Sequence, residues 1–112
     1  MTSLSTWKSF ERQVAKDFGG IRVGGMGDNE KRKSCDVYTD RELIECKLRD
    51  RRFTPGEVVE WFRKVKERAV KDSSFPLLCL KEKGREGYWI VEERGDGLLM
   101  KHSTWRIDRD GH

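Results

Sequence analysis

Residues 42–48 read Glu42-Leu43-Ile44-Glu45-Cys46-Lys47-Leu48, and this stretch decides how the chain folds. Its apolar residues predict a strand over residues 41–48. Because side chains alternate between the faces of a strand, Glu45 and Lys47 share one face while their apolar neighbours share the other. An acid and an amine on such a strand are costly to bury unless they are paired, hydrated or bound to a metal ion. The stretch therefore predicts both a core strand and a candidate functional site.

The residues before this strand predict a hairpin with an acid on its first arm. A strand is predicted over residues 34–39, which begin Ser34-Cys35-Asp36-Val37-Tyr38, and Asp40-Arg41 connects it tightly to the next strand. Asp36 is therefore expected to face the same pocket as the two charged residues of the second arm.

A helix is predicted from Thr6 to Phe18, ahead of a Gly19-Gly20 end. Its apolar residues recur at helical spacing, and Glu11 falls within the apolar face. Glu11 is therefore directed either along the edge of the core or toward a site. A short strand over residues 21–23 follows.

Residues 24–33 are rich in glycine and charge, which predicts a loop. The Gly-Lys-Ser/Thr ending of a phosphate-binding loop is missing, and no helix is predicted to follow. Two interpretations stay open, a mobile loop that contacts nucleic acid near the site and a plain surface connection.

The second helix has a clear predicted start. Thr54 suits the N-cap, Pro55 the first helical position, and Glu57 completes a Thr-x-x-Glu capping box. The inner stripe of this helix is predicted to be Val58, Phe62, Val65 and Ala69. Trp61 lies off that stripe, so we expect it to be exposed or to serve a subunit interface.

Three further strands are predicted over residues 76–80, 88–91 and 98–100, separated by glycine turns. The order α-β-β-β-α-β-β-β predicts an α/β fold in which a mixed central sheet is flanked by two helices. At 112 residues the chain is expected to form a single domain over residues 1–112, with an irregular tail at 104–112.

Composition narrows the function classes. No apolar stretch is long enough to span a membrane and no signal-peptide pattern is present, so a soluble cytoplasmic protein is expected. Three cysteines without metal-type spacing indicate buried free thiols in a reducing compartment. The net charge of +4 and the pI near 9.1 favour a polyanionic partner.

Basic residues cluster around the acidic ones. They group before the first arm of the hairpin, after its second arm, and along the second helix. The candidate nucleic-acid contacts are Lys31, Arg32, Lys33, Arg49, Arg51, Arg52, Arg63, Lys64 and Lys66.

An Asp, a Glu and a Lys in this arrangement are the minimal set for phosphodiester hydrolysis. Carboxylate oxygens suit Mg²⁺ or Mn²⁺, which activate water and hold phosphate oxygens. A neighbouring lysine orients or deprotonates the water, or offsets charge in the transition state. Asp36, Glu45 and Lys47 form that set, and the backbone carbonyl of Cys46 is a further candidate metal ligand.

The pattern resembles the PD-(D/E)XK nuclease superfamily, with Asp36 on one hairpin strand and Leu43-Ile44-Glu45-Cys46-Lys47 on the next. Within it the chain looks most like the archaeal-type Holliday-junction resolvases, some of which are carried by viruses and would act in host cytoplasm. The opening helix with Glu11, the basic loop before the hairpin and the basic second helix support the likeness. It covers residues 6–70 well and the last 40 residues only by strand pattern. Cys35 stands where the motif usually has proline.

The resemblance implies that Asp36, Glu45 and Lys47 are catalytic and that Glu11 joins them by contributing to metal binding. The metal ligands would be Glu11, Asp36, Glu45 and the Cys46 carbonyl. It further implies a homodimeric Mg²⁺- or Mn²⁺-dependent endonuclease that cuts branched double-stranded DNA at four-way junctions. The alternatives that stay open are a related nuclease for flaps, ends or damaged DNA, an RNA-processing relative, and a non-catalytic nucleic-acid-binding module.

Overall fold

A computed structural model describes residues 4–29 and 34–104 of the chain. Its elements follow the predicted order of helices and strands, which is confirmed. They are α1 (Leu4–Phe18), β1 (Ile21–Arg22), β2 (Val37–Tyr38), β3 (Glu42–Arg49), α2 (Pro55–Lys71), β4 (Phe75–Glu82), β5 (Trp89–Arg94) and β6 (Gly97–His102).

The strands form a six-stranded sheet in which their spatial order is the same as their chain order. Strands β3 and β4 run parallel, and α2 makes the crossover between them. The other neighbouring pairs are antiparallel. The predicted mixed sheet is therefore confirmed, and β3 lies near its centre.

Each helix covers one face of the sheet, and β3 supplies side chains to both cores. Phe10 and Val14 of α1 pack in one cluster with Ile44, Cys46 and Leu48 of β3. The second cluster contains Leu43 together with the predicted inner stripe of α2, which is Val58, Phe62, Val65 and Ala69. The alternation predicted for residues 42–48 is confirmed, because consecutive residues of β3 enter opposite cores.

The start of α2 is built as the sequence predicts. Thr54 is the N-cap, and its hydroxyl accepts from the Glu57 main-chain N–H at 3.2 Å. The Glu57 carboxylate accepts in turn from the Thr54 main-chain N–H at 3.0 Å, which completes the capping box. This cap fixes where the helix begins relative to the end of β3.

Strand β2 is shorter than the predicted 34–39 strand, and Asp36 lies just before it rather than within it. The Asp36 carboxylate accepts from the main-chain N–H of Cys46 on β3 at 2.8 Å. The Asp36 main-chain N–H still donates to the Ile44 carbonyl at 3.0 Å, so the chain stays beside β3 although the regular register begins at Val37. Thr39 N–H donates to the Glu42 carbonyl at 3.0 Å, so the predicted tight hairpin is present.

Other expectations concern the thiols, the membrane and the tail. Cys35, Cys46 and Cys79 are buried thiols that form no disulfide, as predicted. Neither helix of the described residues has both the length and the apolar character to cross a bilayer. The tail expected at 104–112 lies, apart from Thr104, outside the described residues.

Candidate active site

Asp36 and Glu45 form the centre of the site. Asp36 is held at the edge of β2 by its bond to the Cys46 main-chain N–H, and its carboxylate lies within hydrogen-bonding reach of the Glu45 carboxylate. Two carboxylates in contact repel one another when both are ionised. Because Glu45 is also desolvated, burial and the charge of Asp36 raise its pKa to about 7. The pair therefore attracts a proton or a cation at neutral pH.

Two basic side chains flank the Glu45 carboxylate. Lys47 Nζ lies 3.7 Å from Glu45 Oε2, so the two residues of the β3 face are paired. Arg68 of α2 lies on the other side, with Nη2 3.4 Å from Glu45 Oε1, and its guanidinium also donates to the Ser34 carbonyl at 3.1 Å. Both cations lower the pKa of Glu45, but burial and Asp36 outweigh them. The predicted grouping of Asp36, Glu45 and Lys47 is present.

Glu11 is buried on α1 and has partners of its own. Trp7 Nε1 donates to its carboxylate at 2.8 Å, and Arg22 of β1 pairs with it at 3.3 Å. Burial, followed by the charge of Asp36, raises the pKa of Glu11. Within residues 4–29 and 34–104, no three His, Cys, Asp or Glu side chains are gathered closely enough to hold a metal ion. Glu11 thus stands apart from the Asp36–Glu45 pair, and its part in metal binding stays a prediction.

The carboxylate pair suits a hard cation even without Glu11. Mg²⁺ is commonly held by one or two carboxylates, with water and substrate phosphate completing its shell. Asp36 and Glu45 supply two neighbouring carboxylates, and a cation between them would offset the repulsion that, after burial, raises the pKa of Glu45. The donor set therefore fits Mg²⁺ or Mn²⁺.

Trp61 contacts the candidate site and is not fully exposed. It is half-buried, and Phe53 contacts its ring edge-on with a centroid separation of 5.8 Å. Lys47 Nζ lies 5.5 Å and Arg49 Cζ 5.1 Å from the ring centroid. The expectation of a fully exposed tryptophan is therefore corrected, whereas a part for Trp61 in a subunit interface stays a prediction.

The basic candidates divide by their surroundings. Arg51 is paired with Glu57, Arg63 with Glu60 and Glu67, and Lys66 with Glu93. Arg49 lies against Trp61, whereas Arg52 and Lys64 are exposed. Lys31, Arg32 and Lys33 lie outside the described residues.

Helical spacing places one basic candidate beside the site. Trp61 and Arg68 both reach across to β3, so they mark the flank of α2 that borders the carboxylates. Lys64 is three residues after Trp61 and four before Arg68, and therefore lies on the same flank. Arg63 and Lys66 lie elsewhere on the helix surface. Lys64 and Arg68 are thus the basic residues of α2 that accompany the site.

The glycine-rich loop is anchored at its described end. The buried Asp28 carboxylate accepts from the Gly24 N–H at 2.7 Å and from the Tyr38 hydroxyl at 2.7 Å. Met26 at the tip is fully exposed. Val23 N–H donates to the Asp36 carbonyl at 2.9 Å, so the loop begins beside the site.

Sequence reasoning missed Arg22 and Arg68, which pair with the carboxylates of Glu11 and Glu45. Each is distant in sequence from its partner, so no local motif links the two. For Arg68 a usable signal existed, because it stands seven residues after Trp61 and shares its helix flank. No comparable signal marks Arg22.

The chain is similar in structure to Hjc of Archaeoglobus fulgidus, a Holliday junction resolvase from an archaeal hyperthermophile. The TM-score is 0.50 at 19% sequence identity, and the match covers 87% of this chain and 88% of that one. No protein-family model and no curated protein matches the chain. At this identity the likeness establishes the fold, which is the α/β nuclease-like fold of Hjc.

Proposed function

We propose that the chain is a metal-dependent, structure-selective DNA endonuclease that resolves four-way junctions by paired phosphodiester hydrolysis. One observation carries the proposal. Asp36 and Glu45 lie next to each other with Lys47 beside Glu45, near the centre of the sheet, and the fold is similar to that of a junction resolvase. An acid pair that can hold a metal ion, next to an amine, supplies what metal-assisted phosphodiester hydrolysis uses.

Asp36 and Glu45 are the residues that would hold Mg²⁺ or Mn²⁺, with the Cys46 carbonyl as a further candidate ligand. A bound cation of this kind neutralises charge on phosphate oxygens and makes water a better nucleophile. The protein supplies the fixed geometry. The Cys46 N–H holds the Asp36 carboxylate in place, and Arg68 and Lys47 hold the Glu45 carboxylate from two sides.

Lys47 has the central part in the chemistry that the chain itself performs. Its ammonium, next to Glu45, orients the attacking water or offsets the charge that develops on the phosphate. Water adds to phosphorus, the P–O3′ bond breaks, and the products carry a 5′-phosphate and a 3′-hydroxyl. Burial of Glu45 strengthens these electrostatic effects.

A branched duplex is the proposed substrate because the basic residues near the site suit phosphate contacts rather than base recognition. Lys64 and Arg68 border the carboxylates on α2, and Arg49 follows Lys47 on β3. Such contacts position a nucleic acid without reading its sequence. A four-way junction has near-twofold symmetry, so two matched cuts call for a C2 dimer with one site in each subunit.

The proposal is tested by cleavage of an immobile four-way junction beside matched linear duplex, flap, single-stranded DNA and RNA substrates. Each substrate is incubated with Mg²⁺, with Mn²⁺ and with EDTA. Asp36→Asn and Lys47→Ala are assayed in parallel. Arg63→Ala is the control, because Arg63 pairs with Glu60 and Glu67 rather than with the carboxylates of the site.

Metal-dependent cleavage of the junction that is lost in the Asp36 and Lys47 variants, and kept in Arg63→Ala, supports the proposal. Cleavage of flaps, linear DNA or RNA in preference to the junction would support the proposed active site but reject the four-way junction as its substrate. Tight junction binding without cleavage under either metal would leave only a binding module.

A further inference from the structure

The indole ring of Trp61 is shared by two cations from one strand. Lys47 and Arg49 stand two residues apart on β3, and both lie within 6 Å of the ring centroid, at 5.5 Å and 5.1 Å. Cations at this range are attracted to the electron-rich face of an indole, which is the strongest aromatic partner for them. Phe53 contacts the same ring edge-on, with an interplanar angle of 82°. Phe53 therefore holds the indole ring in place, and the Lys47 and Arg49 cations contact the ring as well.

We propose that Trp61 is a positioning residue that holds the Lys47 ammonium beside Glu45. The inference rests on the proposed function, in which Lys47 acts next to that carboxylate. A lysine side chain has four rotatable bonds and loses much of that freedom when it is fixed in one place. The Glu45 oxygen lies 3.7 Å from Lys47 Nζ, too long for a close hydrogen bond, so this partner alone fixes the ammonium poorly. The ring restricts it further.

Packing explains part of this placement, because Trp61 and Phe53 are both partly buried against the second core cluster. Trp61 lies off the inner stripe of α2, whose core contacts come from the fully buried Val65 and its neighbours. The ring instead sits over the two basic residues that follow Glu45 on the same face of β3. Its position at the rim of the site, half-buried, keeps the Lys47 ammonium accessible to a substrate.

A spectroscopic test reads the contact without requiring any cleavage. Lysine is labelled with ¹³C at the ε carbon, and the Lys47 signal is identified by its disappearance in Lys47→Arg. A proton above an aromatic face resonates upfield, so the Lys47 ε protons should lie upfield of the other lysines. The shift should vanish in Trp61→Leu and persist in part in Trp61→Phe. A Lys47 signal at the ordinary lysine position in the unsubstituted protein overturns the proposal, whether or not the protein cuts DNA.

A kinetic test asks whether the contact matters for the reaction. Under single-turnover conditions with saturating junction DNA, Trp61→Leu should lower the cleavage rate by between about three-fold and thirty-fold. Trp61→Phe, which keeps an aromatic face, should recover most of that rate, and the apparent DNA affinity should change little. Trp89→Leu is the matched control, since Trp89 is a half-buried tryptophan of β5 that stacks edge-on with His102 at 4.7 Å.

Trp61 could instead act through Arg49, the second cation at its ring, and double variants distinguish the two cases. If Trp61 acted through Arg49, Trp61→Leu would weaken DNA binding, and its effect would disappear in an Arg49→Gln background. If it acts through Lys47, the loss of rate persists in Arg49→Gln and the apparent DNA affinity is unchanged. The first pattern, or equal rates for Trp61→Leu and Trp61→Phe, overturns the proposal. Failure of the unsubstituted protein to cut any substrate would instead reject the proposed function.

Discussion

Arg68 Nη2 lies 3.4 Å from Glu45 Oε1, which ties the last turns of α2 to the central acid of the site. The same guanidinium donates to the Ser34 carbonyl and so also holds the chain just before Asp36. A single side chain thereby connects the helix, the central strand and the segment that carries the second acid.

Arg68→Gln is expected to shift the pH dependence of cleavage. Arg68 favours the ionised form of Glu45 and lowers its pKa, so its removal raises a pKa that already stands at about 7. The acidic limb of the kcat/KM profile should move to higher pH, and activity at about pH 6.5 should fall more than at about pH 8.5. Profiles of Arg68→Gln and Arg63→Gln at fixed Mg²⁺ measure this. An acidic limb at the same pH in Arg68→Gln as in the unsubstituted protein would contradict this prediction.

Glu45→Gln is expected to stabilise the fold at alkaline pH while it abolishes cleavage. The pKa of Glu45 is near 4.5 in the unfolded chain and about 7 in the fold, so the folded state binds a proton more tightly. Stability is therefore lost as pH rises from 4.5 through 7. Without added metal, the free energy of unfolding of Glu45→Gln should exceed that of the unsubstituted protein by up to about 3 kcal/mol at about pH 8.5.

The same two proteins should be equally stable at about pH 4, where Glu45 is protonated in both states. Urea denaturation at the two pH values measures the difference. A Glu45→Gln protein that is less stable at the higher pH would show that the ion pairs with Lys47 and Arg68 outweigh the cost of burial.

Lys64→Ala is expected to weaken DNA binding through the loss of one phosphate contact. Lys64 is exposed on the flank of α2 that carries Trp61 and Arg68. The slope of log binding constant against log salt concentration should become shallower by about 1. Arg63→Ala, which removes a residue already paired with two glutamates, should leave the slope unchanged. Equal slopes in all three proteins would exclude Lys64 as a contact.

Arg51→Ala is expected to affect stability more than DNA binding. Arg51 forms two bonds to Glu57, at 2.9 Å and 2.6 Å, and together with Thr54 holds the pKa of that carboxyl at about 2. The resulting stabilisation is present above about pH 4.5 and is lost as pH falls through 2. The melting temperature of Arg51→Ala should therefore be lower at neutral pH, and the difference should shrink in acid. A changed salt dependence of DNA binding with an unchanged melting temperature would indicate a DNA contact instead.

Much of the fold could be predicted from local patterns. Thr54, Pro55 and Glu57 mark the start of α2 because a cap depends only on neighbouring residues. The alternation along β3 predicts which side of the sheet receives Glu45 and Lys47, since the period of a strand is fixed. Their grouping with Asp36 followed from the hairpin, whose tight connection sets two strands side by side.

The surroundings of the site could not be predicted in the same way. Trp61 and Arg68 reach β3 only because α2 crosses over that strand, and this packing is set by the inner stripe of the helix rather than by either residue. The bond from the Cys46 main-chain N–H to the Asp36 carboxylate joins two residues ten positions apart, and no local pattern marks it. For Glu11, the sequence predicted its place in the apolar face of α1. It did not predict the bonds that Glu11 accepts from Trp7 and Arg22.

The most direct test of the central claim is the first product formed from a supercoiled plasmid that extrudes a cruciform. The proposed dimer cuts both strands of the four-way junction within one binding event, so Mg²⁺ should yield linear plasmid without accumulation of nicked circles. Asp36→Asn should yield neither product. Nicked circles as the main product, or no cleavage with either Mg²⁺ or Mn²⁺, would contradict paired resolution of junctions by this site.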